Sequence, residues 1–124
     1  MRLTVIGGGI MGSGIGQVGA QHDFDVTVID VSSEALAKTR KRIEESLERF
    51  ARKNIVKDVE KVMKRIQFTT EWESLSSADV IIEAVPEKLS LKKDIFKKID
   101  DMAKDDCLLA SNTSSLSITD IASV

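Results

Sequence analysis

Short apolar runs alternate with longer stretches of helical period along this 124-residue chain. Residues 2–6 are almost continuously apolar, as a buried parallel strand requires. Residues 10–22 read as a helix, with Ile10, Met11, Ile15 and Val18 expected to face a sheet. A second β-branched run covers 25–30 and ends on Asp30. Ser32 or Ser33 then caps a long helix, and Glu34 suits its first turn. Leu36, Ile43, Leu47 and Phe50 recur at steps of 7, 4 and 3 and form its buried stripe. Asn54 ends that helix, and Asp58 lies near the start of another that reaches Lys64. Residues 66–70 read as a third strand, and Trp72 and Leu75 as part of a brief turn on the sheet edge. Residues 78–85 read as a fourth strand, which must stop at Pro86-Glu87. A helix over 88–102 turns Leu91, Ile95, Ile99 and Met102 inward. A fifth strand covers 107–110, and Ser117 caps a last helix.

The punctuation between the first two strands carries chemistry. Gly7, Gly9 and Gly12 fill the G-x-G-x-x-G spacing, and Asp30 follows Gly12 by 18 residues. Gly7 permits a tight turn, Gly9 allows close approach of backbone to a pyrophosphate, and Gly12 allows the helix to pack on the strand. Gly14, Gly16 and Gly19 lower helix propensity, and close helix-on-strand packing is their best explanation. The bland alternative is a structural glycine turn, but strand, helix and acid all stand in place for a dinucleotide. Asp30 can accept from an adenosine ribose, would repel a 2′-phosphate, and has no Lys or Arg within several residues after it. That favours NAD over NADP.

The fold expected is α/β and Rossmann-like: a mostly parallel open sheet with helices on both faces, as one domain over 1–124. A helical hairpin is inserted between strands 2 and 3, where a plain crossover needs one helix. Ligands then bind beyond the carboxyl ends of the strands, at 7–12, Asp30, 83–87 and 111–115. Glu87 and Lys92 either reach a cofactor there or are ordinary helix-start charges. His22, the single histidine, falls at the opposite end and reads as a surface or helix-cap residue.

Composition narrows the partners. Net charge is −2, which gives no electrostatic case for nucleic acid. Residues 38–65 nevertheless carry +6, so the remainder carries −8. Within them Arg42, Ser46, Arg49 and Lys53 make a second helical stripe. Such a stripe is either a solvated face or a platform for a multiply anionic ligand. No apolar run approaches 18 residues, so no membrane span is expected. Cys107 stands alone, reads as a small core residue and precludes an internal disulfide. With no leader recognisable before the first strand, a cytoplasmic location is expected. No metal site is expected.

Four segments, in order, identify a family: Gly-Gly-Gly-Ile-Met-Gly-Ser-Gly-Ile, Ile-Glu-Glu-Ser-Leu, Ile-Ile-Glu-Ala-Val-Pro-Glu and Ala-Ser-Asn-Thr-Ser-Ser-Leu. The chain resembles the NAD-binding domain of the L-3-hydroxyacyl-CoA dehydrogenases, including the 3-hydroxybutyryl-CoA dehydrogenases, over essentially its whole length. That resemblance implies oxidation of L-3-hydroxyacyl-CoA to 3-ketoacyl-CoA with NAD, in fatty-acid or butanoate metabolism. It assigns the glycine loop, Gly7, Gly8, Gly9, Ile10, Met11 and Gly12, to NAD, and Asp30 to its ribose. Glu87 and Lys92 become further NAD contacts. Asn112 and Ser114 lie beside the nicotinamide and the substrate oxygen, as auxiliary catalytic residues. Ser46 and Lys53 become contacts to coenzyme A.

The family's catalytic His, in a Gly-Leu-His-Phe-Phe-Asn-Pro segment beyond the Ser-Asn-Thr-Ser motif, has no counterpart in these residues. Nor does its helical C-terminal domain, so the isolated chain is expected to be inactive. Association with that domain, or a homo-oligomer, is the expected protein partner. The alternatives are a stand-alone NAD(H)- or CoA-binding module and another NAD-dependent 3-hydroxyacid dehydrogenase.

Overall fold

The computed structural model describes residues 1–85 and 89–111, without the side chains of 89–92 and 111. Five parallel strands form one sheet in the order β3-β2-β1-β4-β5. They are β1 (Arg2–Ile6), β2 (Asp25–Ile29), β3 (Ile66–Thr69), β4 (Val80–Glu83) and β5 (Leu108–Ser111). Helix α1 (Ile10–Gln21) joins β1 to β2. Helices α2 (Ser33–Arg52) and α3 (Val59–Lys64) lie in sequence between β2 and β3, and α4 (Leu89–Met102) joins β4 to β5. This is the expected Rossmann-like sheet, and every carboxyl end falls on one edge.

Strand alternation divides the core. Leu3, Val5, Val26, Val28 and Ile66 point to one face, where Leu36, Ile43 and Leu47 of α2 cover them. Ile6, Ile29 and Ile81 point to the other, under Ile95, Phe96 and Ile99 of α4. The α2 stripe is buried as its spacing predicts, with Phe50 half-buried at its end. Ser32 caps α2, its Oγ accepting the Ala35 N–H at 3.1 Å. Asp58 caps α3, its Oδ1 accepting the Lys61 N–H at 3.1 Å.

Helix α1 differs from expectation. Ile10, Met11 and Val18 are 81%, 53% and 55% exposed. The buried residues are Gly12, Ser13, Gly16, Gln17, Gly19 and Ala20, and of the four expected inward Ile15 alone packs, partly buried, against the core. The helix lies too close for large side chains: a Cβ on Gly19 would sit 2.7 Å from Leu3 Cδ2, and one on Gly16 3.4 Å from Val28 Cγ2. Gly14 faces open space, so close packing does not explain it.

Three other expectations shift. Strand β4 is shorter than the 78–85 run, because its ladder ends where β1 ends, at the pair Ile6 and Glu83. Leu75 lies in a short 3-10 turn, Glu73–Ser77, under the centre of the sheet with Ile6, Ile29 and Ile81 rather than on its edge. Cys107 sits half-buried at the margin of that cluster, just before β5. Burial pushes its thiol pKa up.

Candidate functional site

The first turn off β1 is made by Gly7, whose φ of +101° only glycine adopts without strain. Its N–H donates to the Ile29 carbonyl at 2.8 Å, which ties the turn to the end of β2. A Cβ on Gly12 would lie 1.7 Å from the Gly7 carbonyl oxygen, so α1 starts directly against that turn. A Cβ on Gly9 would meet nothing within 4 Å, so space beside the N-cap is open.

That N-cap is chemically distinct from those of the next two helices. Gly9 offers no side-chain cap and α1 has no acid in its first turn. Helices α2 and α3 each have a capping side chain and an acid there. The first N–H groups of α1 have no intrahelical acceptor, and the helix dipole adds positive potential. An external anion fits that end of the helix.

Asp30 stands across from it at the end of β2. Its Oδ2 accepts the Gly8 N–H at 2.9 Å and its Oδ1 the Val31 N–H at 2.7 Å. The carboxylate therefore fixes the glycine loop and still has lone pairs for ribose hydroxyls. Between the two features runs a cleft of about 850 Å³. Gly7, Gly8, Gly9, Ile10, Met11 and Asp30 all line it, while Gly12 lies beneath. These residues fit an adenine dinucleotide: open backbone donors for the pyrophosphate, and an acid for the ribose.

The cleft also holds residues that pattern alone did not assign to it. Val31, Thr70, Trp72 and Lys98 line it. The Lys98 ammonium lies 4.4 Å from the centroid of the Trp72 ring. At the floor of this edge, Glu83 is fully buried and its Oε2 accepts the Val85 N–H at 2.7 Å.

The other expected residues divide in two. Ser46 and Lys53 lie on or just after α2 and do not line the cleft; Lys53 is exposed and Ser46 half-buried. Glu87, Asn112 and Ser114 lie outside the described residues, as do the stop at Pro86 and the helix after Ser117. Lys92 is within α4, its side chain outside them too. His22 is the exposed C-cap of α1, at the far edge of the sheet from the glycine loop. Arg42, expected on a solvated or ligand-binding stripe, turns its guanidinium to the glycine loop and donates to the Gly8 carbonyl at 3.2 Å. Among the described residues no cluster of His, Cys, Asp or Glu could hold a metal, and no helix is long and apolar enough to cross a membrane.

Comparison with known proteins places this geometry. The family described as 3-hydroxyacyl-CoA dehydrogenase, NAD binding domain, matches residues 2–124. The mitochondrial hydroxyacyl-coenzyme A dehydrogenase of Rattus norvegicus is 42% identical over 129 aligned residues, covering 98% of this chain and 41% of the rat protein. The crystal structure of FadB2 from M. tuberculosis superposes with a TM-score of 0.94 at 38% identity, covering 98% of this chain and 44% of that one. The (S)-3-hydroxybutyryl-CoA dehydrogenase of Ralstonia eutropha does so with a TM-score of 0.92 at 35% identity, over the same shares. The chain thus spans less than half the length of these relatives.

Proposed function

Since the chain belongs to the family of NAD-binding domains of 3-hydroxyacyl-CoA dehydrogenases, we propose that it is the cofactor-holding part of an enzyme interconverting L-3-hydroxyacyl-CoA and 3-ketoacyl-CoA. The observation that supports this most is the uncapped start of α1, open at Gly9 and facing a cleft that Asp30 closes on the ribose side. NAD, when bound, accepts hydride at its nicotinamide from the 3-carbon of the substrate.

The chain's own residues do the rest. The Gly7–Gly12 loop receives the pyrophosphate on backbone N–H groups. Asp30 accepts from the ribose and, as an anion, disfavours a 2′-phosphate. Glu87 and Lys92 are assigned further NAD contacts, and Asn112 and Ser114 hold the substrate oxygen. Ser46 and Lys53 are assigned to the phosphates of coenzyme A, supported by the +6 charge of residues 38–65. The hydroxyl proton needs a general base, and His22 is at the wrong edge to act as one. A helical C-terminal domain or a second copy is proposed to complete the acyl pocket. A cytoplasmic location is proposed on the lone Cys107.

Titration calorimetry tests this directly. NADH should bind the chain at least tenfold more tightly than NADPH, a difference of about 1.4 kcal/mol. Coenzyme A should bind the wild type and bind Lys53→Ala several-fold more weakly. Acetoacetyl-CoA reduction by the isolated chain should stay at the buffer rate. Equal affinity for NADH and NADPH would sink the cofactor assignment, and unchanged CoA binding by Lys53→Ala the substrate assignment.

A further inference from the structure

One peptide in the glycine loop is held from both sides. The Gly8 N–H is bound by Asp30. The Gly8 carbonyl accepts from Thr39 Oγ1 at 2.6 Å, Ser13 Oγ at 3.0 Å and Arg42 Nη1 at 3.2 Å. Arg42 Nη1 also donates to Ser13 Oγ at 3.2 Å, so the Ser13 hydroxyl accepts one bond and gives the other. Thr39 Oγ1 lies 3.0 Å from the Ala35 carbonyl as well. Its single proton favours the shorter contact, which is to Gly8.

None of these three side chains lines the cleft, and Thr39 is 1% exposed. Thr39 and Ser13, both buried, reach a ligand only through Gly8, and the Arg42 guanidinium is turned to the same carbonyl. The peptide plane supplies the link. In a trans peptide the Gly8 carbonyl and the Gly9 N–H point in opposite directions. Holding the carbonyl against its donors on α1 and α2 aims the Gly9 N–H the other way, away from those side chains. A carbonyl turned the other way would present negative charge to a phosphate.

We infer that Thr39, Ser13 and Arg42 are positioning residues for dinucleotide binding, fixing the Gly8–Gly9 peptide so that its N–H meets the pyrophosphate. This rests on the NAD-binding reading above. Residues of α2 thereby set the affinity of a loop that belongs to β1 and α1.

The test compares ligands with and without a pyrophosphate on the 124-residue chain. Thr39→Val should bind NADH and ADP about tenfold more weakly, the effect of one lost buried hydrogen bond. Its affinity for adenosine, measured by NMR titration, should not change. Thr39→Ser keeps the hydroxyl and should restore ADP binding to within about twofold. Arg42→Met, at an exposed position, should fold normally and lose ADP affinity about threefold, so it carries the test if Thr39→Val unfolds. Unchanged ADP affinity in Thr39→Val or, where that variant unfolds, in Arg42→Met overturns the inference. So does an equal loss for ADP and adenosine, or failure of Thr39→Ser to restore binding. A wild type that binds no NADH overturns the underlying reading instead.

Discussion

Gly9 and Gly12 serve the same loop by opposite means. Gly12 is required by the protein itself, since its Cβ position is 1.7 Å from a backbone oxygen that has nowhere to go. Nothing in the protein itself requires Gly9, since its Cβ position is empty, and only the proposed pyrophosphate contact would. Gly12→Ala should therefore lower stability by about 1–3 kcal/mol or more, as overpacking does. Gly9→Ala should lower it by about 1 kcal/mol or less, the cost of a poorer N-cap, yet reduce NADH affinity at least tenfold. Thermal melts beside NADH titrations check the pair, and normal NADH binding by Gly9→Ala would move the pyrophosphate elsewhere. The spacing of these glycines was readable in the chain, but which one answers to the ligand was not. Thr39 was the harder case. It sits on the buried stripe between Leu36 and Ile43, in the gap left by a step of 7, and a hydroxyl at such a position needs an internal partner. That gap was the available signal.

At the scale of the element, helix ends were more legible than helix faces. Ser32, Asp58 and Asn54 each work locally, through their own backbone, so residue type is enough to find them. Asn54 takes a left-handed φ of 60° after the Lys53 C-cap. The Asn54 N–H donates to Ala51 and the Ile55 N–H to Phe50, at 3.1 and 2.9 Å, the bond pair of a Schellman ending. Asp23 ends α1 the same way at φ 70°, with Phe24 donating to Gly19. Asn54→Val should cost about 1–2 kcal/mol, because a β-branched residue resists that φ, while Asn54→Gly should be neutral or stabilising. Urea midpoints measure both. The face of α1 was misread because period alone assigns large apolar residues inward. The distance between helix and sheet decides otherwise, and that distance is set by the glycine turn.

For the whole molecule, the parallel order followed from strands alternating with helical stretches. Strand lengths did not, because each strand ends where its neighbour stops pairing. One tie joins the amino edge of the sheet to the lead-in of β5. Lys104 Nζ bonds Asp79 Oδ1, and Asp79 Oδ2 accepts the Arg2 N–H at 2.8 Å. The Lys104 bond, and then the Arg2 N–H, hold the Asp79 carboxyl below its usual pKa. The Asp79 bond raises that of Lys104. A lowered carboxylate contributes stability above its unfolded pKa and loses it as pH falls through the folded one. A raised amine contributes below its unfolded pKa and loses it as pH rises through the folded one. The stability difference between wild type and Asp79→Asn should thus be flat from about pH 5 to 9 and shrink below about pH 4. Salt should reduce it, since both side chains are partly exposed. Denaturation across pH would show this, and a difference that grows in acid would contradict it.

The doubly held Gly8 peptide has a consequence at this scale too. Loop, β2 end and α2 meet there, and α2 carries Leu36, Ile43 and Leu47 of the core. The loop cannot open far without loosening a helix that the whole fold needs. A cofactor that binds the closed loop is then linked to global unfolding rather than to a local flap. Its binding free energy is returned as resistance of the entire domain to heat, rising with the logarithm of cofactor concentration.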